Sequence, residues 1–217
     1  MNEFWAAIAG AIVGSISSGG VTWFLQRGQL QQQSSERNEG LARSLLFKVI
    51  KIHSDLYNLR DLILECKNNA KDRGLPIGWQ SIQPPSSLPA KITFEADEMG
   101  FFLSLKKDDL FNRLMSLDNT HSSILENFSL YSQRRMALTD MLPAVMQGTI
   151  GEAVLNDQQL AMVAPRAAEL SQLIEDIDGQ LEKYVPQAKS TLVGVNQAIG
   201  DTIGRGIDIR FDDDIAH

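Results

Sequence analysis

Three side chains in this sequence have the types and the spacing that metal binding or acid–base chemistry needs: His53, Asp118 and His121. In the segment Asp118-Asn-Thr-His121, a helix would place the carboxylate and the imidazole one turn apart. Di-iron bundles use a carboxylate and a histidine at this spacing in duplicate. Here the pair occurs once, with Asp instead of Glu. A metal-binding helical bundle is therefore the third function considered, and two core histidines with hydrogen-bond partners are the alternative interpretation.

The remaining candidates for chemistry fit structural roles. The segment from Glu175 to Gly179 has the acidic residues of a calcium loop, but alignment on its glycine puts Ile174 at the first ligand position. Three consecutive aspartates, 212–214, are typical of a solvated tail. Cys66 is the single cysteine, which excludes a disulfide framework and an ordinary zinc site. Since the sequence contains no nucleotide-binding or hydrolase motif, it predicts no enzyme, no catalytic residue and no cofactor.

The charge of the chain argues against nucleic acid as a partner. The formal net charge is −7, whereas nucleic-acid-binding domains are basic. The charge is also uneven: residues 26–73 carry 9 basic and 6 acidic side chains, and residues 74–217 carry 11 basic and 20 acidic ones. The part that follows the N-terminal segment is thus positive, and the distal part would be repelled by anionic lipid.

The N-terminal segment has the composition of a membrane span. From Phe4 to Leu25 there are 22 residues without an ionisable side chain, and about 20 helical residues cross a bilayer core. Trp5 and Trp23 lie near its two ends, where indole rings favour the membrane interface. A cleaved signal peptide is disfavoured because no basic residue precedes the apolar stretch. The sequence therefore predicts a transmembrane anchor over residues 1–25.

The flanking charges predict the orientation of this anchor. Only Glu3 and the α-amino group precede the span, whereas five basic residues follow it closely. The positive-inside rule then places the N-terminus outside and the bulk of the chain in the cytoplasm, as expected for a single-pass protein of the inner (cell) membrane. The unpaired Cys66 fits a reducing compartment. The five basic residues are Arg27, Arg37, Arg43, Lys48 and Lys51.

The span also has a face made of small residues. Ala6, Gly10, Gly14 and Ser18 recur every fourth residue, a spacing at which lipid-embedded helices approach each other closely. This face predicts self-association into a homo-oligomer. Clustering of the same Gly- and Ser-rich spans is also what a membrane-perturbing effector would need, such as a toxin-like or phage-defence component. That effector is the alternative function.

The rest of the chain predicts a polar juxtamembrane stalk at 26–40, with hinges at Gly28 and Gly40, a helical bundle at 41–203 and a flexible acidic tail at 204–217. Three apolar runs follow steps of three and four residues, the spacing of helices packed lengthwise. A second seam beside the first run favours an antiparallel bundle over a two-stranded coiled coil. The first run is Ala42, Leu45, Val49, Ile52, Leu56, Leu59, Ile63, Cys66 and Ala70, and the second seam beside it is Leu46, Ile50, His53, Tyr57 and Leu64. The second run is Leu110, Leu114, Leu117, His121, Ile124, Phe128, Tyr131, Arg135, Leu138 and Leu142. The third run is Leu160, Val163, Ala167, Leu170, Ile174, Ile177, Leu181, Tyr184 and Ala188.

The helix boundaries follow from caps and prolines. Residues 74–90 hold four of the seven prolines and predict a loop. Thr93, Asp108 and Asn156 are the predicted N-caps of the helices that follow. Pro165 and Pro186 are expected to kink or break the last helix.

The order of these features resembles a group of bacterial single-pass membrane proteins with a helical cytoplasmic domain. The resemblance lies in the anchor WAAIAGA and in the segments SLLFKVIKIHSDLYNLR and ADEMGFFLSLKKDDLFNRLMSLD, and it covers most of residues 4–142. That group has no established activity, so the resemblance implies a layout and no functional residues. We therefore expect a membrane-anchored helical scaffold, sensor or regulatory protein. Its expected partners are the lipid bilayer, further copies of itself and another protein.

Overall fold

The computed structural model describes the backbone of residues 2–142, 155–204, 206–209 and 211. In the first helix it describes side chains from Arg27 on, apart from Gly28 and Gln31. Across these residues the chain forms four α-helices and no strand, which confirms the predicted all-α fold. The helices are α1 (Asn2–Asp72), α2 (Ala96–Ser104), α3 (Asp108–Thr139) and α4 (Asp157–Ile203). The chain divides into two compact units, residues 1–44 and 45–217.

The described side chains of the first unit are mostly polar and exposed up to residue 40, with Leu30 an exposed apolar exception. Exposed pairs one turn apart support this part of α1: Gln32 donates a hydrogen bond of 3.0 Å to Glu36, and Arg43 forms an ion pair with Glu39. The stalk predicted at 26–40 is helical, because α1 continues through Gly28 and Gly40. A single glycine lowers helix propensity by only about 1 kcal/mol, which the flanking turns offset.

The second unit has a hydrophobic core built from the predicted apolar runs. Within α1 the seam from Leu45 to Ala70 is buried at every position except the half-buried Cys66. The first-seam prediction is therefore confirmed along α1. The buried residues of α3 and α4 recur at the same steps of three and four residues. The fully or nearly fully buried residues of these two helices include Leu114, Leu117, Ile124, Phe128, Tyr131, Leu138, Leu170, Ile174, Ile177, Leu181 and Ala188.

Other positions of the predicted runs are not in the core. Leu64 in the second seam is 49% exposed, and Leu160 at the start of the third run is 53% exposed. In the opposite direction, Leu192, Val195 and Ile199 extend the buried face of α4 beyond the predicted run. The core of the second unit thus uses one continuous seam per long helix, with only part of the second seam.

The caps of the helices differ in detail from the sequence expectation. α2 starts after Glu95 rather than Thr93, because Glu95 and Glu98 form a capping box. α3 starts after Lys107, so Asp108 is its first residue and not its cap. At α4 the prediction is confirmed: Asn156 accepts a hydrogen bond from the Gln159 amide at 2.8 Å.

The sequence predicts a kink or a break at Pro165 and Pro186; α4 continues through both prolines, so neither of them breaks the helix. A proline inside a helix leaves the carbonyl four residues earlier without an N–H donor. Here those carbonyls belong to Ala161 and Glu182, which are exposed, so water can hydrogen-bond to them. The helix tolerates the two prolines because the lost hydrogen bonds belong to exposed residues.

Ion pairs and side-chain hydrogen bonds join the elements of the second unit. Lys48 in α1 lies 2.7 Å from Glu98 in α2, Lys67 in α1 pairs with Asp178 in α4, and Arg134 in α3 pairs with Glu169 in α4. The loop after α1 is held by α3: the Tyr131 hydroxyl lies 2.7 Å from the Ile82 carbonyl and 2.9 Å from the Trp79 carbonyl. Arg135 donates to carbonyls of the same loop, at Gln80 and Ile82. These contacts fix the helices that carry the candidate site.

Candidate functional site

The strongest candidate for chemistry is a buried pair formed by Asp55 in α1 and His121 in α3. Both residues lie on the core faces of their helices: Asp55 falls between Ile52 and Leu59, and His121 lies between Leu117 and Ile124. His121 Nε2 lies 3.5 Å from Asp55 Oδ2. The His121 side chain is fully buried, and that of Asp55 is 12% exposed. Packing of α1 against α3 therefore places an acid and an imidazole together in the core.

The contact between these two side chains is longer than a good hydrogen bond. Charge-assisted N–H···O bonds are typically 2.7–2.9 Å long. The two ring nitrogens of His121 and the Oδ2 atom of Asp55 form no hydrogen bond. A buried polar group without a hydrogen bond destabilises the fold by about 1–3 kcal/mol. The pair is thus a point in the core where polar groups are incompletely satisfied.

The protonation state of His121 follows from its surroundings. Burial is the largest effect and lowers the pKa of His121, since the charged imidazolium is penalised in the core. The negative charges of Asp55 and Asp118 oppose this effect and raise the pKa, whereas the positive charge of Lys51 lowers it. Together these effects leave the pKa of His121 below its ordinary value of 6.5. His121 is therefore neutral at pH 7, with one N–H donor and one nitrogen acceptor.

The predicted group of His53, Asp118 and His121 is only partly brought together. Asp118 is half-buried one turn before His121 and acts on its pKa through its charge. His53 lies elsewhere: its ring stacks on Tyr57, with 6.3 Å between the centroids, and meets Phe211 edge-on. Throughout the described part of the chain, no three His, Cys, Asp or Glu side chains are grouped so that they could hold a metal ion. The structure gives the metal-bundle hypothesis no ligand set there.

Sequence reasoning missed Asp55, although a local signal was present. An aspartate three residues after Ile52 and four before Leu59 stands at a core spacing, where an acid needs a partner. Which partner it meets depends on how α1 and α3 pair, and no local pattern encodes that.

A cleft lies between α3 and α4. Its volume is about 370 Å³, within the range of small-molecule sites. The Arg113 guanidinium at its edge lies 2.8 Å from Asp109 Oδ2, so its charge is already partly compensated. The lining residues are Arg113, Ser116, Leu117, Tyr184, Gln187, Ser190 and Thr191.

The predicted membrane residues lie outside the described side chains. This holds for the interface anchors Trp5 and Trp23 and for the association face Ala6, Gly10, Gly14 and Ser18. In the portion of the chain that could be searched, none of the helices has both the length and the apolar character to cross a membrane. The anchor and its orientation stay predictions.

Comparison with known proteins supplies no further identification. The chain matches no protein-family model, no curated protein and no solved structure. Its function therefore has to be inferred from its own residues and their geometry.

Proposed function

We propose that this chain is a membrane-anchored helical scaffold or regulatory protein that acts through protein–protein contacts, beginning with copies of itself. The proposal joins the uncharged segment 4–25 to a bundle that follows it. The observation that carries it is the change along α1, from exposed polar side chains at 32–38 to the buried seam that starts at Ala42. A polar exposed stretch between an apolar segment and a separate core is the arrangement that an anchored bundle requires.

One end of the α3–α4 pair exposes large apolar side chains, which we call the apolar end. Arg166 in α4 lies 2.8 Å from the sulfur of Met141, and Arg134 pairs with Glu169. These contacts show that α3 and α4 run antiparallel, with the end of α3 beside the start of α4. The apolar end consists of Met136, Met141, Leu160 and Met162, which are 58%, 46%, 53% and 56% exposed.

The apolar end supports self-association of the bundle. Exposed apolar groups gathered at one place favour protein contacts, and methionine adapts its shape to a partner surface. Copies anchored by the same segment in one membrane present the same surface at the same height. A two-fold axis normal to the membrane would then bring the apolar end of one copy against that of the next. The small-residue face Ala6, Gly10, Gly14 and Ser18 favours the same parallel arrangement of the spans.

Cysteine crosslinking in membranes tests this interface. In a Cys66→Ala background, Met162→Cys is expected to give a covalent dimer of the full chain after mild oxidation. The matched control is Glu182→Cys, an exposed position on the same helix about 30 Å away at 1.5 Å per residue. Several-fold more dimer for position 162 supports the proposal. Equal yields at the two positions, or no dimer, would exclude the apolar end as an interface between copies.

A further inference from the structure

The described part of the C-terminal tail lies along α4 and contacts α1. Asn196 in α4 forms two hydrogen bonds with the main chain of Ile207. Its Nδ2 donates to the Ile207 carbonyl at 2.8 Å, and the Ile207 N–H donates to its Oδ1 at 3.0 Å. The ring of Phe211 meets the His53 ring edge-on, with 5.4 Å between the centroids. Lys189 Nζ lies 4.3 Å from the centroid of the same Phe211 ring.

We call the three residues that the tail contacts the tail groove: His53 of α1 with Lys189 and Asn196 of α4. Lys189 and Asn196 are seven residues apart, so they share one face of α4 and are separated by about 10.5 Å along its axis. From Ile207 to Phe211 an extended chain covers about 13 Å. Ile207 contacts Asn196 and Phe211 contacts Lys189, so the order of these contacts is antiparallel to α4.

The glycines at the start of the tail allow its backbone to turn back and approach α4 closely. Gly204 ends α4 with a φ of +75°, a conformation that glycine adopts without strain and that turns the chain back. A Cβ added to Gly200 would lie 3.5 Å from the Gly206 nitrogen, which shows how closely the tail backbone approaches the helix. Residues 206–209 and Phe211 are the described part of the tail and contact the bundle, and the flexibility expected for 204–217 stays a prediction.

The manner of contact is that of peptide recognition. Pairing of the Asn196 amide with both main-chain groups of one residue does not depend on that residue's side chain. Selectivity must then come from the aromatic ring, which is held by the imidazole of His53 and the ammonium of Lys189. A groove with these properties binds an extended segment that carries an aromatic residue four positions after the paired one.

We propose that the tail groove is a peptide-binding site, which the chain's own tail occupies in cis and which the tail of a second copy occupies in trans. A second copy is the occupant because its tail carries the same main-chain groups at Ile207 and the same ring at Phe211. Exchange of identical segments is a common route from monomer to dimer. Only the claim that a second copy supplies the tail rests on the proposed self-association. Binding of a peptide to the tail groove can be tested without that claim.

The test measures binding of a fluorescent synthetic peptide, residues 204–217, to the full chain by anisotropy. The double variant Ile207→Pro/Phe211→Ala removes the donated N–H and the ring, and so releases the tail without altering a helix. We expect this variant to bind the peptide at least about tenfold more tightly than the unaltered chain, whose own tail competes at a high effective concentration. Circular dichroism checks that the variant keeps its helices.

The matched control separates the groove from the rest of the surface. Adding Asn196→Ala to the released variant should abolish binding, whereas adding Gln197→Ala at the next, exposed position should not. A peptide with the Phe211→Ala change should also fail to bind. Equal binding by the released and unaltered chains, or no binding by either, would overturn the proposal. Crosslinking at Met162 probes a different surface, so failure of one proposal does not imply failure of the other.

Discussion

Replacing Leu56 with Ala is expected to lower the free energy of unfolding of the bundle by about 2–5 kcal/mol. Leu56 is fully buried in the α1 seam, and truncation removes its transfer free energy and leaves a cavity that the core cannot close. The matched control is Leu64→Ala, because Leu64 is a leucine of the same helix that is 49% exposed. That change should lower stability by no more than about 0.5 kcal/mol.

Denaturant unfolding followed by helical circular dichroism measures both variants. The sample is a fragment that starts at Glu39, which we expect to be soluble and to unfold cooperatively without detergent, since its seams cover one another. Similar losses for the two leucines would contradict the assignment of the seam. An insoluble fragment, or one without a cooperative transition, would mean that the bundle needs the span or a partner to fold.

Removal of one member of the buried pair should destabilise the bundle more than removal of both. His121→Leu replaces the imidazole 3.5 Å from Asp55 Oδ2 with an apolar side chain, so the buried acid loses the polar neighbour that partly offsets its desolvation, and a buried polar group without a partner costs about 1–3 kcal/mol. In the double variant Asp55→Ala/His121→Leu no buried polar group of the pair is left, and most of the stability should return. A double-mutant cycle gives the coupling directly. Additive losses would show that the two side chains do not interact.

The same pair should make the stability depend on pH. Because burial lowers the pKa of His121 in the folded protein, the unfolded chain binds more protons once the pH falls below about 6.5. Stability contributed by the neutral His121 is therefore fully present above that pH and decreases as the pH falls toward the folded pKa. The slope cannot exceed about 1.4 kcal/mol per pH unit for one proton. The double variant lacks this component, so the difference between the two pH profiles isolates it. Identical profiles would contradict the assignment of a neutral buried imidazole.

The long helices could be predicted because their core residues recur at steps of three and four. Leu45, Leu117 and Leu181 are buried where that spacing places them. Leu64 fits an equally regular second seam and is exposed, because periodicity shows which residues share a face and not whether a neighbour covers that face. The prolines of α4 were misjudged for a related reason: the cost of a lost hydrogen bond depends on whether the freed carbonyl faces solvent.

The candidate site depends on pairings between distant segments, and these were harder to predict. His121 stood out by type and spacing, but its partner Asp55 is 66 positions away on α1, and only the packing of α1 on α3 brings them together. The contacts of Phe211 with His53 and Lys189 are of the same kind. No local pattern in residues 204–217 indicates the helix surface that Ile207 and Phe211 contact.

Membrane insertion and topology test the central claim, that segment 1–25 anchors the bundle on the cytoplasmic side of a membrane. In bacterial cells, the full chain with a fluorescent reporter after His217 should stay in the membrane fraction after alkaline carbonate washing and should fluoresce. The fragment that starts at Glu39 should be in the soluble fraction. A phosphatase in place of the fluorescent reporter should be inactive, since the basic residues after Leu25 keep the C-terminal part inside. Full extraction of the complete chain by carbonate would contradict the anchor, and an active phosphatase would contradict its orientation.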